Sequence, residues 1–580
     1  MNKWFHPCIL FQKASDSARV RLESKIRCTA SIGSRDPFCQ SIICGTLRIE
    51  NALNKTKMPY RPIVLVVLDG WGLSNNVAGN PIREAKLPTF DKLNRFYPMT
   101  TLQASGISVG LPWNTSGNSE VGHMTMGAGR VIYQNLPRIA LSIQDGTFYK
   151  NETMLAAINH VKEKKSNLHI MGLVSSGAVH SHREHLAAIL RLAKQENIER
   201  VFIHAFTDGR DSPPTSGIQH IKELDRETKL IGIGTIATLS GRNFSMDRNN
   251  NWDRIEKSYR MLTEGKTAET FEDPLIALEK SYAKGITDEF VEPTIIASDK
   301  QPFTPIKDDD AIIFFNFRED RARELTKAFV TRDFDGFERE YLETFFVTMT
   351  EYERNLPVHV AFAPEEVENS LGETLSLASK TQLRIAETEK YAHVTYFFNG
   401  GKEKPFPGED RMLIPSPTVS HFDEVPEMSA PQVTEKLIGA LEQDAYDFIL
   451  VNYANADMVG HTGNEEATII ACQAADKSLS LLIPAVLRRG GALFITADHG
   501  NAEELKNLET GEIDTEHSTN PIPLWFIAPD NHREKSADEM VREQNEIRGL
   551  LSDVAPTILD LMGVKKPDEM NGASLLKILQ

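Results

Sequence analysis

Residues 63–72 read IVLVVLDGWG, and this stretch is the clearest indication of the fold. Its first six residues form an uninterrupted apolar, β-branched run, which is typical of a parallel strand buried on both faces. The strand ends at Asp69, and the glycines that follow predict a turn. Because ligands of open α/β sheets bind beyond the carboxyl ends of the strands, Asp69 is a candidate site residue.

Five further stretches repeat this arrangement of an apolar strand followed by a polar turn. The strands are predicted at residues 169–174, 200–206, 311–316, 448–453 and 491–496, and helical patterns such as 185–194 and 249–264 lie between them. Strands that alternate with helices indicate an α/β architecture with mostly parallel sheets. A chain of 580 residues is too long for one compact core, so we expect two or more domains.

Composition disfavours several classes of partner. The net charge of −17 argues against nucleic acid and anionic membranes. No uninterrupted apolar run of about 18 residues occurs, so no membrane span is expected.

Four of the five cysteines precede Met58, which leaves only Cys472 in the rest of the chain. That part cannot form an internal disulfide, which favours a reducing, cytoplasmic location.

Residues 1–57 differ in character from the rest of the chain. They hold ten Lys and Arg against four Asp and Glu, and they show no clear helical or strand period. A targeting segment is one interpretation, although the four acidic residues weigh against a transit peptide. We expect instead an extension that is disordered or takes no part in the fold, with Met58 as the working start.

Carboxylates and imidazoles recur at strand ends in a pattern that suits metal ions. Asp457 and His461 are four residues apart, so on a helical turn they share a face. Asp498 and His499 follow a predicted strand, and His517 lies further on. With the aspartate that ends the first strand, they offer six nitrogen and oxygen ligands, enough for two metal ions. Two-metal sites stabilise both the attacking and the leaving oxygen of a phosphoryl transfer.

A glycine-flanked serine is the candidate nucleophile. Ser119 lies in the sequence GNSEVGH at residues 117–123, where glycines permit a sharp turn and a close approach of the backbone to a ligand. Position 121 is Val, so the Gly-x-Ser-x-Gly elbow is absent and a serine hydrolase is disfavoured. A coordinated metal can activate such a serine. We assign His123 a structural role.

The middle of the chain carries a second polar group, which is rich in arginine. Its members follow strands or adjoining turns and comprise His180, Arg210, Asp211, Arg242, Arg248, Arg318 and Arg321. The last two arginines are three residues apart, a spacing that can share a helical face. Guanidinium groups match carboxylates and phosphates with a planar fork of donors, so five arginines in an acidic chain predict an anion site. The separation of the two polar groups along the chain indicates one domain built from both ends and a second inserted between them.

The motifs at residues 68–72, 117–123, 457–461, 498–501 and 517 occur in the order found in the alkaline phosphatase superfamily. Residues 118–123 resemble the nucleophile motif of the cofactor-independent phosphoglycerate mutases. This resemblance implies an α/β protein of two α/β domains. A discontinuous alkaline-phosphatase-like metal domain would comprise residues 58–133 and 368–580, and an inserted substrate-binding domain residues 134–367.

The same resemblance implies a role for each matching residue. Ser119 would become phosphoserine, Asp211 would be the acid and base for the glycerate hydroxyls, and Lys390 would steady the transferring phosphate. The five arginines would grip the substrate, with His180 nearby, in a loop where the family often has Gly at position 178 and this chain has Ala. One metal would be held by Asp69, Ser119, Asp498 and His499, and the other by Asp457, His461 and His517.

The function that this resemblance implies is interconversion of 3-phosphoglycerate and 2-phosphoglycerate without a bisphosphoglycerate cofactor. It further implies two divalent metal ions, manganese foremost, and a monomer that binds neither nucleic acid nor membrane. A phosphatase or sulfatase of the same superfamily would share the metals and nucleophile but would not need the arginine-rich insert. A phosphopentomutase is disfavoured by the His180, Arg210 and Arg242 segments. The intact ligand set argues against a catalytically silent binding protein.

Overall fold

The computed structural model describes residues 60–507 and 510–580, so the extension predicted for residues 1–57 and the start at Met58 lie outside the described residues. Two eight-stranded sheets organise the described part of the chain. In chain order their strands are β1 (Ile63–Leu68), β2 (Met99–Gln103), β3 (Leu168–Leu173), β4 (Val201–Thr207), β5 (Thr235–Gly241), β6 (Thr270–Phe271), β7 (Thr294–Ile296), β8 (Ala311–Phe314), β9 (Phe345–Thr350), β10 (His359–Phe362), β11 (Gln382–Glu387), β12 (Glu409–Ile414), β13 (Phe448–Tyr453), β14 (Ala492–Thr496), β15 (Ile522–Ile527) and β16 (Ile547–Leu550).

The first sheet is built from both ends of the chain. Its order is β12-β11-β13-β1-β14-β15-β2-β16, and only β15 runs antiparallel to its neighbours. The second sheet, with order β10-β9-β8-β3-β4-β5-β7-β6, uses only strands from the middle of the chain, and its single antiparallel pair is β5 with β7. The α/β architecture and the insertion are therefore confirmed, while the boundaries at 133/134 and 367/368 stay predictions.

Helices cover the sheets and connect their strands. The α-helices are Pro81–Glu84, Pro88–Phe96, Ser119–Ala128, Asn135–Asp145, Glu152–Lys164, Arg183–Gln195, Gly217–Ile231, Arg242–Ser245, Trp252–Glu264, Pro274–Ala283, Arg323–Val330, Leu371–Leu377, Thr388–Ala392, Ala430–Glu442, Asn455–Gly460, Glu465–Leu487, Ala537–Asn545, Val554–Met562 and Leu576–Leu579. Short 3-10 turns lie at Gly106–Val109, Thr147–Lys150, Asp288–Phe290, Phe422–Glu424 and Leu551–Asp553, and a π turn at His393–Phe397.

Burial on both faces explains the apolar strands. Every residue of β1 is buried, because β13 and β14 flank the strand and its side chains belong to one apolar core cluster. In β3, Ile170 packs into one apolar core of the second sheet and Met171 into another. Burying each such side chain contributes about 1.5–3 kcal/mol, so these runs stabilise the centre of each sheet.

The predicted strands agree with the structure at two positions and shift slightly at the others. Residues 63–68 and 448–453 are confirmed, whereas the strand predicted at 169–174 spans Leu168–Leu173. The helix predicted at 249–264 begins only at Trp252. Asp247 explains this later start, because its Oδ1 accepts the backbone N–H groups of residues 249 and 251 and holds that segment in a turn.

One helix, Glu465–Leu487, is long and apolar enough to cross a membrane, judged by length and composition alone. Sixty-one per cent of its most apolar window is buried inside the protein. It packs against helices Ala430–Glu442, Asn455–Gly460 and Pro81–Glu84. Its apolar residues therefore serve the core of the first sheet's domain, and as evidence for a membrane span the helix is weak.

Candidate functional site: a metal-type cluster and an arginine cluster

Strand register brings the predicted metal ligands to one edge of the first sheet. Leu68, the last residue of β1, pairs with Tyr453 of β13, and Val67 pairs with Thr496 of β14. The turns that follow these three central strands therefore meet. They carry Asp69, Asp457 and Asp498, whose side chains are all buried.

Asp457, His461 and His517 form one side of this cluster. Asp457 and His461 lie on and just beyond the helix Asn455–Gly460, as their spacing predicts. Asp457 Oδ1 is 3.4 Å from His461 Nε2 and 3.2 Å from His517 Nε2, and the two imidazole nitrogens are 3.0 Å apart. His461 Nδ1 donates to the backbone carbonyl of Thr515, and His517 Nδ1 donates to that of Gly117, both at 2.8 Å. With Nδ1 as the donor, the neutral tautomer leaves the Nε2 lone pair of each imidazole facing Asp457, an arrangement that suits a cation bound between them.

Asp69, Ser119, Asp498 and His499 form the other side. Ser119 Oγ lies 3.0 Å from Asp69 Oδ1 and 3.0 Å from His499 Nε2. Asp498 Oδ2 is buried without a hydrogen-bond partner, 3.6 Å from the same imidazole nitrogen. A buried carboxylate oxygen that makes no hydrogen bond, with imidazole nitrogens of His499 and His123 near it, suits a cation such as a divalent metal.

The geometry does not divide the ligands into two separate sets. Ligand atoms lie within 4.8 Å of one another in the group Asp457, His499 and His517 and in the group Asp69, Asp498 and His499. His499 thus borders both groups, because its Nε2 is 3.5 Å from Asp69 and 4.0 Å from Asp457. The two metal positions implied by the sequence resemblance share this imidazole as a neighbour.

Lys390 is the cation at the centre of the cluster. It lies in the short helix Thr388–Ala392, and its Nζ is 2.6 Å from Asp69 Oδ1, 2.5 Å from Asp457 Oδ2 and 2.7 Å from Ser119 Oγ. Burial lowers the pKa of Lys390, but the surrounding carboxylates outweigh burial and hold that pKa above its ordinary value. Burial likewise opposes the charged form of His499, and the three aspartates nevertheless raise its pKa to about 10. The cluster is therefore strongly attractive to cations.

Ser119 lies at the first residue of the helix Ser119–Ala128, with Asn118 as its N-cap. The glycines on either side permit a tight approach of the backbone, and the structure shows a helix start between them. The flanking glycines allow close approach: a Cβ at Gly117 would lie 2.9 Å from His499 Cβ, and one at Gly122 would lie 2.9 Å from Asp498 Cβ. A helix N-terminus beside Ser119 favours a phosphate group there.

Two buried side chains support the cluster without having been assigned to it from the sequence. Asn452 Nδ2 donates to Asp69 Oδ2 at 2.7 Å and lies 3.1 Å from His123 Nε2. His123 Nδ1 lies 2.9 Å from the carbonyl of Ser119 and 3.2 Å from Asp498 Oδ2. His123 therefore contacts the backbone of Ser119 and not its hydroxyl, in keeping with a structural role. Asn452 is the next-to-last residue of the strand predicted at 448–453, and this position was its only signal in the sequence.

The arginine cluster lies at the corresponding edge of the second sheet. Arg242 is buried, and its Nη1 donates to Asp208 Oδ1 at 2.6 Å and to Asp211 Oδ2 at 2.5 Å. Its Nη2 lies 3.0 Å from His180 Nε2, so this nitrogen accepts. Asp208 was not assigned to the cluster from the sequence, and the structure shows it as a second, fully buried carboxylate partner of Arg242.

Asp320 contacts two further arginines of the cluster. It accepts from Arg248 Nη1 at 2.8 Å and from Arg318 Nε at 3.1 Å, and it lies 3.6 Å from His180 Nδ1. Arg318 and Arg321 do not share a helical face as predicted, because the helix begins only at residue 323. They lie instead in the preceding turns, where Arg321 Nη1 donates to the carbonyl of residue 246.

Positive charge remains concentrated here despite these carboxylates. Burial lowers the pKa of Arg321, and the nearby guanidinium groups of Arg242, Arg248 and Arg210 lower it further. Arg210 is half exposed, with Glu289 Oε1 at 3.5 Å. Such mutual repulsion is relieved when an anion binds. In the described residues no hydrogen bond or ion pair joins the arginine cluster to the metal-type cluster.

Comparisons with known proteins find close similarity over most of the chain. A family profile described as the N-terminus of BPG-independent PGAM matches residues 139–354, which hold the second sheet except the short strand β10. Curated proteins named 2,3-bisphosphoglycerate-independent phosphoglycerate mutase are 48% identical over 522 residues in Clostridioides difficile (strain 630) and 49% identical over 521 residues in Clostridium acetobutylicum. Each match covers 90% of this chain and 100% of the relative.

A solved structure is also similar over most of the chain. It is described as Leishmania mexicana phosphoglycerate mutase at low cobalt concentration, and it is 29% identical with a TM-score of 0.50. The match covers 89% of this chain and 98% of the solved one. Identity near one half along the full length of the curated relatives is decisive, and the chain belongs to the family of 2,3-bisphosphoglycerate-independent phosphoglycerate mutases.

Proposed function

We propose that this chain interconverts 3-phosphoglycerate and 2-phosphoglycerate, without a bisphosphoglycerate cofactor, through a phosphoserine at Ser119. The observation that carries the proposal is the set of side chains around the Ser119 hydroxyl. Ser119 Oγ lies within 3.0 Å of Asp69, His499 and Lys390 side-chain atoms, at the first residue of a helix. Family membership supports the same activity.

The cluster fits two divalent metal ions, and we propose manganese as the metal used. Facing imidazole nitrogens and an orphaned carboxylate oxygen support this fit, as does the mixed nitrogen and oxygen donor set. When bound, two such ions neutralise charge on the attacking and leaving oxygens of an in-line transfer. The residues proposed to hold one ion are Asp69, Ser119, Asp498 and His499, and those for the other are Asp457, His461 and His517.

Ser119 performs the transfer itself. Its Oγ loses its proton and forms a bond to phosphorus as the bond from phosphorus to the glycerate oxygen breaks, and that oxygen gains a proton, so no proton is consumed overall. The reverse step delivers the phosphate to the other glycerate hydroxyl, which loses its proton as Ser119 regains one. The ammonium group of Lys390, 2.7 Å from Oγ, offsets negative charge on the transferring phosphate. The N-terminus of helix Ser119–Ala128 favours the same charge.

The arginine cluster is proposed to hold the glycerate portion. Arg210, Arg321 and the partly exposed Arg248 offer guanidinium donors to the substrate carboxylate and phosphate. Asp211 is proposed to exchange protons with the two hydroxyls, with Arg242 and His180 within 3.7 Å of its carboxylate. Closure of the two clusters on the substrate would exclude water, because water would otherwise hydrolyse the phosphoserine.

The cellular location and the oligomeric state of the protein are also proposals. We propose that it is a cytoplasmic monomer. The single buried cysteine of the described residues, Cys472, supports a reducing compartment because no disulfide is available. Light scattering of the purified chain measures its mass directly, and a mass of twice the chain would overturn the monomer.

A mutase assay tests the proposed function. Metal-stripped protein is supplied with Mn²⁺ and 3-phosphoglycerate, without bisphosphoglycerate, and both 2-phosphoglycerate and free phosphate are followed. We expect 2-phosphoglycerate with little free phosphate. Free phosphate without 2-phosphoglycerate would instead indicate a phosphatase of the same superfamily, and no product of either kind would reject phosphoryl transfer on this substrate.

A further inference from the structure

Three turns carry most of the proposed metal ligands, and one buried carboxylate joins them. We propose that Glu503 is a positioning residue that fixes these turns relative to one another and thereby sets the affinity for the metal ions. The turns follow β1 (69–73), follow β14 (497–505) and precede β15 (517–521). This inference rests on the metal site of the proposed function and adds a residue to which no role was assigned.

Glu503 accepts a hydrogen bond from each of the three turns. Its Oε2 receives the backbone N–H groups of Gly72 and Asn501, both at 2.9 Å. Its Oε1 receives Asn520 Nδ2 at 3.0 Å and the hydroxyl of Ser518. Glu503 is 1% exposed, and in the described residues it forms no ion pair, so these donors alone compensate its buried charge.

Each donor lies close along the chain to a proposed ligand. Gly72 is three residues after Asp69, and Asn501 is two residues after His499. Ser518 directly follows His517. A displacement of the Glu503 carboxylate therefore moves ligands of both proposed metal positions, although Glu503 itself touches none of their side-chain donor atoms.

Two glycines make room for this carboxylate. A Cβ at Gly72 would lie 2.2 Å from Glu503 Cδ, and a Cβ at Gly500 would lie 2.4 Å from Oε1. Backbone bonds from Ser518 N to the carbonyl of Gly500 and from Ala502 N to that of Gly70, both 3.0 Å, also join the turns. The turns thus pack closely around the carboxylate, and side chains at these glycines would expel it.

Graded substitutions of Glu503 test the inference through binding of Mn²⁺ to metal-stripped protein, measured by calorimetry well below the melting temperature. Glu503→Leu has no acceptor for the four donors, and we expect Mn²⁺ affinity to fall about 10- to 100-fold. Glu503→Gln keeps one oxygen for the two backbone N–H groups, so its loss is intermediate. Ser518→Ala removes one donor and gives the smallest loss. The Mn²⁺ concentration for half-maximal activity rises in the same order, while KM for 3-phosphoglycerate stays constant.

The matched control is Glu409→Gln. Glu409 is also a buried carboxylate, but it accepts from Asn399 and Arg411, away from the metal-type cluster. We expect its Mn²⁺ affinity to equal that of wild type. If Glu503→Leu fails to fold, the other two variants test the inference. Glu503→Gln should then lose more Mn²⁺ affinity than Ser518→Ala. Affinities within about twofold of wild type in the Glu503 variants, or an equal loss in the control, overturn the inference.

The same titration separates this inference from the proposed function. Wild-type protein that binds no Mn²⁺ would overturn both. Wild-type protein that binds Mn²⁺ but makes no 2-phosphoglycerate would overturn the function, and a graded loss in the variants would still support the role of Glu503. Unchanged variants of an active enzyme would overturn only the role of Glu503.

Discussion

The hydroxyl of Ser119 is the atom on which the proposed chemistry depends. Ser119→Ala removes the atom that would bond to phosphorus, so we expect mutase activity to fall by on the order of 10⁴-fold or more. The hydroxyl contacts only Asp69, His499 and Lys390, so the fold should be retained. The measurement is conversion of 3-phosphoglycerate at saturating Mn²⁺, with circular dichroism as the check on folding.

Ser116→Ala is the control for this variant. Ser116 directly precedes the stretch 117–123, and in the described residues no hydrogen bond joins it to the metal-type cluster. We expect it to keep wild-type activity. Substantial mutase activity in Ser119→Ala would contradict a phosphoserine at this position.

His180 gives the arginine cluster a dependence on pH. Burial, reinforced by Arg242 beside it, lowers the pKa of His180 to about 4, although Asp320 and Asp211 oppose the change. The unfolded chain binds this proton below about pH 6.5 and the folded chain does not, so His180 makes stability fall as pH falls from 6.5 towards 4. At pH 5 the loss is about 2 kcal/mol.

His180→Gln should remove this part of the pH dependence, because Gln keeps an acceptor for Arg242 and does not titrate. The measurement compares the melting temperatures of wild type and variant at pH 7 and pH 5. We expect the drop between the two pH values to be smaller in the variant. Equal drops would show that His180 is already protonated in the folded protein at pH 5.

At the scale of one element, the loop that carries His180 contains a strained residue. Ala178 has a φ of 52°, a left-handed conformation that glycine adopts freely and alanine adopts at a cost. We expect Ala178→Gly to stabilise the protein by about 0.5–1 kcal/mol, after allowance for the greater freedom of glycine in the unfolded chain. Ala178→Val should destabilise it, because a β-branched side chain tolerates this conformation poorly. Melting temperatures that move in the same direction for both variants would refute the strain.

At the scale of the whole molecule, metal binding should stabilise the fold. The buried aspartates of the metal-type cluster have Lys390 and His499 as their nearest cations, and ions that bind only the folded chain add to its stability. At a Mn²⁺ concentration one hundred times the dissociation constant of a site, the gain is about 2.7 kcal/mol for each ion bound. We expect chelation to lower the melting temperature and abolish activity.

Mn²⁺ added after chelation should restore both the melting temperature and the activity. Mg²⁺ at equal concentration is the control for charge alone, because it prefers oxygen ligands and should restore less. A melting temperature that chelation leaves unchanged would contradict a metal site among these residues.

Local sequence was sufficient for much of the architecture. The apolar runs at 63–68 and 448–453 are the strands of the structure, because a β-branched run buried on both faces has few alternatives. Polar residues directly after such runs had to lie at the carboxyl edge of a sheet. Asp69, Asp457 and Asp498 could therefore be named from the sequence, and the structure brings them together.

Contacts between residues that are far apart in the sequence could not be predicted from local patterns. Only the tertiary structure decided them. The spacing of Arg318 and Arg321 suggested a helix, but the chain turns there, since Asp320 between them pairs with Arg248. Arg242 meets Asp208 only because β4 and β5 are neighbours.

The sequence by itself thus determined the strands, the α/β class and the kinds of side chain at their ends, because apolar periodicity and turn residues act locally. The order of the strands was decided only by the tertiary structure, because pairing depends on which faces are buried together. That order places β1 between β13 and β14, and Lys390 in contact with Asp69 and Asp457. It also places Glu503 where three turns meet, a position that no local pattern marks.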